Sequence, residues 1–162
     1  MNMLSLFPLI PLLMMLGLWI SKSTRQIRAV MVAGSSLLLV LAVVLVFRFL
    51  GLREAGETAA MLLTDSHVWY EPLNIHYAVG VDGISVAMLL LSAVIVFTGT
   101  FASWRMDRDV KEYFLWFCLL SVGVFGFFVS VDLFTMFLFY EVALIPMYPV
   151  SYTHLTLPTT PY

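Results

Sequence analysis

Five long runs of apolar residues constrain this chain more than any other feature of its sequence. They are Leu4–Ile20, Ala29–Leu50, Gly83–Phe101, Tyr113–Val131 and Leu133–Val150. Each is long enough to cross the roughly 30 Å hydrocarbon core of a bilayer as a helix. Backbone amides must be paired in lipid, and the alternating pattern of barrel strands is absent. The runs therefore predict an all-α integral membrane protein with about five transmembrane helices.

The composition agrees with a membrane protein and excludes a soluble one. The chain is 62% hydrophobic and 11% charged, whereas a soluble domain carries about 25% charged residues. No basic block of the kind that binds nucleic acid is present. His67, His76 and His154 lie outside the runs without metal-ligand spacing, so no metal site is predicted in this chain. Cys118 lies inside a run and is predicted to be a buried hydrophobe.

The basic residues predict how the helices are oriented. Six of the eight lie in the two connections after the first and third runs, and two flank the end of the second run. They are Lys22, Arg25 and Arg28, then Arg105, Arg108 and Lys111, and finally Arg48 and Arg53. Short connections rich in Lys and Arg stay in the cytoplasm. This places the N-terminus and the long segment 53–82 outside.

Three polar or small-residue features have structural interpretations. Asp82 and Asp132 each stand just before an apolar run, where a carboxylate accepts backbone N–H groups of the first helical turn. We favour this capping role over a direct role in transport. Gly126 and Ser130 have the spacing that lets a second helix approach closely.

Glu141 is the residue that points most strongly to function. It is the ninth residue of the fifth run, roughly 13 Å along a helix axis and close to the middle of the bilayer. A charge at that depth costs about 2.5–3.5 kcal/mol on insertion scales, and acids placed there are usually functional. Burial raises a carboxyl pKa and a nearby cation lowers it, so moving a positive charge can load and unload a proton.

The sequence offers Glu141 no evident counter-charge. Its neighbours at helical spacing are Phe137, Leu138, Leu144 and Ile145, and all eight basic residues lie in connections or near the end of a run. Either a further part of the polypeptide supplies the positive charge, or a neighbouring subunit does, or the acid stays protonated. Pro146 leaves the carbonyl of Val142 without its helical hydrogen bond. This carbonyl would accept a hydrogen bond from water beside Glu141; alternatively, Pro146 only kinks the helix.

Three stretches of this sequence resemble a known family. They are "YAVGVDGISVAMLLLS" (77–92), "SVDLFTMFLFYE" (130–141) and "YEVALIPMY" (140–148). They are similar to the antiporter-like membrane subunits of respiratory complex I, especially the chain M branch, which corresponds to mitochondrial chain 4. The match in order and spacing extends from the N-terminus to about residue 148.

The resemblance implies a proton-translocating subunit of NADH-quinone oxidoreductase in the bacterial inner membrane. NADH, FMN, the iron–sulfur clusters and quinone would be bound elsewhere in the complex, and the partners would be its other membrane subunits and the lipid bilayer. Glu141 would hold the essential glutamate position, with Tyr140, Pro146, Asp132 and Asp82 in support. Its partner in the family is a lysine on a later helix.

The resemblance also sets limits on this chain. Family members have roughly fourteen helices, so residues 1–150 would be a truncated set that does not conduct protons alone. Residues 151–162, "SYTHLTLPTTPY", break the family pattern, and their composition predicts a disordered or foreign tail.

Three other functions remain as alternatives. A subunit of a multisubunit cation/proton antiporter or of a membrane-bound hydrogenase would share the glutamate motif. A purely structural membrane subunit would leave Glu141 inert. An intramembrane hydrolase ranks last because no histidine lies within the runs.

Overall fold

A computed structural model describes residues 3–70, 75–105 and 109–154, which contain five α-helices and one β-hairpin. The helices are α1 (Leu6–Ile20), α2 (Thr24–Glu54), α3 (Gly83–Ala102), α4 (Val110–Val129) and α5 (Leu133–His154). The hairpin strands are β1 (Leu62–Tyr70) and β2 (Ile75–Val81). Short 3₁₀ turns at Met3–Ser5 and Ser103–Arg105 precede α1 and follow α3.

The predicted membrane architecture is confirmed. Within the described ranges, four helices are long and apolar enough to cross a membrane, and the apolar part of α5 spans Leu133–Met147. The five predicted runs correspond to α1 to α5 in order, apart from one or two residues at the start of the first run and the end of the fourth. The chain is therefore a multi-pass membrane protein.

Several helix ends differ from the prediction. α2 extends beyond its apolar run at both ends, to Thr24 and Glu54, and α5 continues past Val150 to His154. Counting apolar residues finds the part of a helix that lies in hydrocarbon and misses polar turns at the interface. Residues 151–154 of the predicted tail are helical, and the rest of it, 155–162, lies outside the described residues.

α4 is the central helix and packs against both α1 and α5, while α2 packs against α3 and α1. The rings of Phe7 in α1 and Phe125 in α4 lie 5.7 Å apart, centroid to centroid, and both side chains are fully buried. Cys118 is buried as predicted, with its Sγ 3.5 Å from the Sδ of Met31 in α2. Its packing role is that of a small apolar side chain that joins two helices.

The sequence analysis did not predict the hairpin. β1 and β2 are antiparallel, with Ser66 opposite Ala78 and His67 opposite Tyr77. A register shift occurs between Leu62 and Asp65, where Leu63 has a φ of 55°, as in a β-bulge. Val79 and Val81 are buried, which fixes the hairpin over one end of the helices.

The opposite end of the bundle carries most of the basic residues that the structure describes. Lys111 at the start of α4 donates hydrogen bonds to the carbonyls of Trp19 (2.9 Å) and Ser21 (3.1 Å), where α1 ends. The guanidinium carbon of Arg28 lies 5.4 Å from the ring centroid of Trp104. The two basic connections therefore meet at one end, as the orientation prediction requires.

Candidate functional site

The depth of Glu141 follows from where α5 begins. The helix starts at Leu133 as predicted, so Glu141 lies eight residues, or about 12 Å, along its axis. The start is fixed by Asp132, whose Oδ2 accepts hydrogen bonds from the backbone N–H groups of Phe134 (3.1 Å) and Thr135 (3.2 Å). The cap thus determines the level of the carboxyl within the bundle.

The direction of Glu141 follows from the packing of α5 on α4. Two glycines of α4 form the contact: a Cβ at Gly123 would meet Ala143, and a Cβ at Gly126 would meet the ring of Phe139. The prediction of a close helix approach at Gly126 is confirmed. Glu141 is two residues from both Phe139 and Ala143, or about 200° around a helix of 3.6 residues per turn. Its side chain therefore points away from α4.

The surface around Glu141 is apolar and largely exposed within the described residues. Glu141 is exposed there. The side chains that surround it on the same face are also exposed; they are Phe137, Leu138, Leu144 and Ile145. A carboxyl at mid-helix, with apolar side chains on each side, is costly if it faces lipid. This face therefore requires a polar cover or a neutral carboxyl.

The residues predicted to support Glu141 are not gathered around it. Tyr140 is next in sequence and half exposed, and its ring centroid lies 6.3 Å from that of Phe127 in α4. Pro146 is buried on the side of α4, about 140° around the helix from Glu141. Neither side chain therefore shares the apolar face that carries the acid.

Asp82 and Asp132 are helix caps, as we favoured from the sequence. The Oδ1 of Asp82 accepts a hydrogen bond of 2.7 Å from the backbone N–H of Ser85, at the start of α3. The hydrogen bonds from Ser85 lower the pKa of Asp82 below its ordinary value of 3.8. Both caps lie at the hairpin end, so they orient helices and do not contact Glu141.

The connection between α4 and α5 is joined to the hairpin, a link that sequence reasoning missed. The N–H of Val131 donates to the carbonyl of Ala78 (2.9 Å), and Ser130 pairs with Val79 as an isolated antiparallel bridge. A groove of about 390 Å³ lies between this hairpin and α5, lined in part by His67, Tyr77, Thr135 and Leu138. The apolar alternation of Tyr77, Val79 and Val81 was the signal in the sequence.

Comparisons with known proteins find similarity to subunits of respiratory membrane complexes. It is 34% identical over 88 residues to NADH-quinone oxidoreductase subunit M of Rhodobacter capsulatus, covering 54% of this chain and 17% of that protein. It is 29% identical over 145 residues to F(420)H(2) dehydrogenase subunit M of Methanosarcina mazei, covering 89% of this chain and 28% of that protein. The chloroplast NAD(P)H-quinone oxidoreductase chain 4 of Chaetosphaeridium globosum is 33% identical over 86 residues, which are 53% of this chain and 17% of that protein. No family model matches.

The fold also resembles that of one chain in a solved respiratory complex. A chain of the membrane-bound sulfane sulfur reductase, an archaeal respiratory membrane complex, aligns with a TM-score of 0.68 and 20% identity over 90% of this chain and 29% of that one. The sequence relatives named above are chain M and chain 4 subunits and subunit M of an F(420)H(2) dehydrogenase. The chain spans between about a sixth and three tenths of the length of these proteins.

Proposed function

We propose that this chain supplies five helices of a proton-translocating membrane subunit of a quinone-reducing respiratory complex, with Glu141 as a proton-relay residue. One observation supports this most directly: Glu141 lies at mid-helix, exposed and turned away from α4, the helix on which α5 is packed. An acid that served only to join helices would be expected on the side of α4, where α5 is packed.

The physical basis is the sensitivity of such a carboxyl to a nearby cation. In hydrocarbon the neutral form is favoured, and an approaching positive charge favours the ionised form. A basic side chain on a neighbouring helix, such as the lysine implied by the family resemblance, would therefore change the proton occupancy of Glu141 as it moves.

Electron transfer would occur outside this chain. NADH oxidation at FMN, transfer through iron–sulfur clusters and reduction of quinone would belong to other subunits of the complex, and this chain would carry protons in response. The partners would be neighbouring membrane subunits that cover the apolar face around Glu141. The similarity to subunit M of Rhodobacter capsulatus supports a place in a bacterial inner membrane.

A related complex with another electron donor is the second candidate. The alignment with the Methanosarcina subunit covers 89% of this chain, more than the 54% shared with the Rhodobacter protein. Proton translocation by Glu141 would be the same in both cases. The two candidates would be distinguished by measuring whether NADH or reduced F420 drives proton translocation in membranes that contain the complex.

Glu141→Gln in the assembled parent complex tests the proposed role. Glutamine keeps the size and hydrogen-bonding capacity of the side chain and removes the titratable proton. We expect proton uptake into inverted membrane vesicles to fall by about 100-fold or more, the effect typical of removing a proton-transfer group. NADH oxidation with an artificial acceptor should continue.

Glu57→Gln is the matched control because Glu57 lies in the exposed segment after α2. It should pump protons at the wild-type rate. Unchanged pumping by Glu141→Gln in a normally assembled complex would leave a structural role for this acid.

A further inference from the structure

A groove on the outer surface of the bundle runs between α1 and α4 at the end that carries the basic residues. Its volume is about 550 Å³, within the range typical of small-molecule sites. The side chains that line it are mostly apolar and include Leu16, Trp19, Glu112, Leu115, Trp116 and Leu119. It is separate from Glu141, which lies on the far side of α5.

The groove combines apolar walls with an acid and a nearby cation at one end. Glu112, in the first turn of α4, is exposed and lines the groove. The ammonium of Lys111 is held at the carbonyls of Trp19 and Ser21, at the end of α1. Trp19 and Trp116 also line it, and tryptophan favours the level of lipid headgroups.

This arrangement matches a zwitterionic lipid better than an apolar chain alone. A primary ammonium has three N–H donors for a carboxylate, whereas a quaternary choline group has none. The phosphodiester of the same headgroup carries the negative charge that suits Lys111. The apolar walls continue from the charged end toward the bilayer interior, along Leu16, Leu115 and Leu119.

We propose that the groove between α1 and α4 binds a phospholipid of the phosphatidylethanolamine class. Its ammonium donates to the carboxylate of Glu112, its phosphate faces Lys111, and an acyl chain lies along Leu16 and Leu119 between the two tryptophans. The occupant is a lipid because the groove is lined by exposed apolar side chains and reaches the first turn of α4, at a helix end where headgroups lie. Glu112 then selects a headgroup that donates hydrogen bonds.

The tryptophans allow a direct test. Of the four in the chain, Trp19 and Trp116 line the groove, so Trp69→Phe with Trp104→Phe leaves only the groove pair as fluorophores. This variant is reconstituted in vesicles that contain equal mole fractions of either brominated phosphatidylethanolamine or brominated phosphatidylcholine. We expect an about two- to tenfold preference for the ethanolamine lipid in the quenching titration, the range for one hydrogen bond.

Glu112→Gln in the same background should reduce this preference to that of the bulk lipid. Glu54→Gln is the matched control, because Glu54 is the last residue of α2 and lies at the hairpin end of the bundle, away from the groove. This substitution should leave the preference for the ethanolamine lipid intact. Equal quenching by both lipids would overturn the proposal. Quenching by neither would also overturn it, because it would show that protein covers the groove.

A second measurement uses the chain with all four tryptophans. Native mass spectrometry of protein purified from a membrane of mixed lipids should show ethanolamine lipid retained over choline lipid, and Glu112→Gln should lose this enrichment. Equal retention of both lipid classes by the wild-type chain would contradict the proposal even if the tryptophan variants failed to fold.

Discussion

Gly123 of α4 lies directly against the backbone of Ala143 in α5: a Cβ at Gly123 would come within 2.6 Å of the Ala143 nitrogen. Because the obstacle is backbone, the two helices must separate to admit even a methyl group. This contact holds α5 in the rotation that turns Glu141 away from α4. It therefore links a packing requirement to the placement of the candidate relay residue.

Gly123→Ala should destabilise the α4–α5 pair by about 1–3 kcal/mol, the usual cost of overpacking. Unfolding in mixed micelles by increasing denaturing detergent would measure the change. Gly51→Ala is the control, because a Cβ at Gly51 meets nothing within 4 Å. That substitution should be neutral or should stabilise α2 by about 0.5–1 kcal/mol. Equal effects of the two substitutions would contradict the proposed contact.

Asp82→Ala should remove the cap of α3 and cost about 1 kcal/mol. The pKa of Asp82 is lowered in the folded state from its ordinary value of 3.8, so its contribution is fully present above that ordinary value. It is lost as the pH falls through the folded pKa. Unfolding measured between neutral pH and strong acid should show this loss in the wild-type chain.

Asp82→Asn isolates the charge in that experiment, since asparagine also caps helices. The Asn variant should keep most of the stability at neutral pH and lose less than the wild type on acidification. An identical acid profile for both chains would rule out a contribution from the ionised carboxylate of Asp82.

Two single cysteines can test the orientation of the bundle, once Cys118 is replaced by Ala. Glu57→Cys lies at the hairpin end and Lys22→Cys at the basic end, and both positions are exposed. A membrane-impermeant maleimide should label Glu57→Cys in intact cells and Lys22→Cys only after permeabilisation. The reverse pattern would show that the rule for basic residues fails here.

The hairpin register predicts a specific cross-link. Ser66 and Ala78 are opposite each other, and directly opposed strand residues are close enough for a disulfide. With Cys118 replaced, Ser66→Cys and Ala78→Cys should form one under mild oxidation, detected as a shift in electrophoretic mobility. Asp65→Cys with Ala78→Cys is the control. Position 65 is one residue out of register with position 78, so the two side chains project to opposite faces of the hairpin and the cysteines should stay reduced.

The helices could be predicted from the sequence because lipid leaves few options. A long apolar run must pair its own backbone, which requires a helix whatever its neighbours are. The caps at Asp82 and Asp132 could be predicted for a similar reason, because a carboxylate next to a helix start finds its partners within three residues. These features depend on local physics.

The hairpin and the direction of Glu141 depend on distant contacts. β1 and β2 are stabilised by burial of Val79 and Val81 over the helix ends, and a search for membrane-length runs does not detect such short strands. The rotation of α5 depends on which helix meets Ala143, and spacing alone does not identify Gly123 as that partner. The role of Glu141 as a relay residue stays a prediction.

The hydrogen bond from Val131 to Ala78 has a mechanical consequence. It attaches the start of α5 to the hairpin, so α5 cannot slide along its axis unless this bond breaks or the hairpin moves with it. The bond thereby opposes movement of the Glu141 carboxyl along the bundle axis. A cation that changes the proton occupancy of Glu141 is therefore expected to reach it by movement of a neighbouring element rather than by sliding of α5.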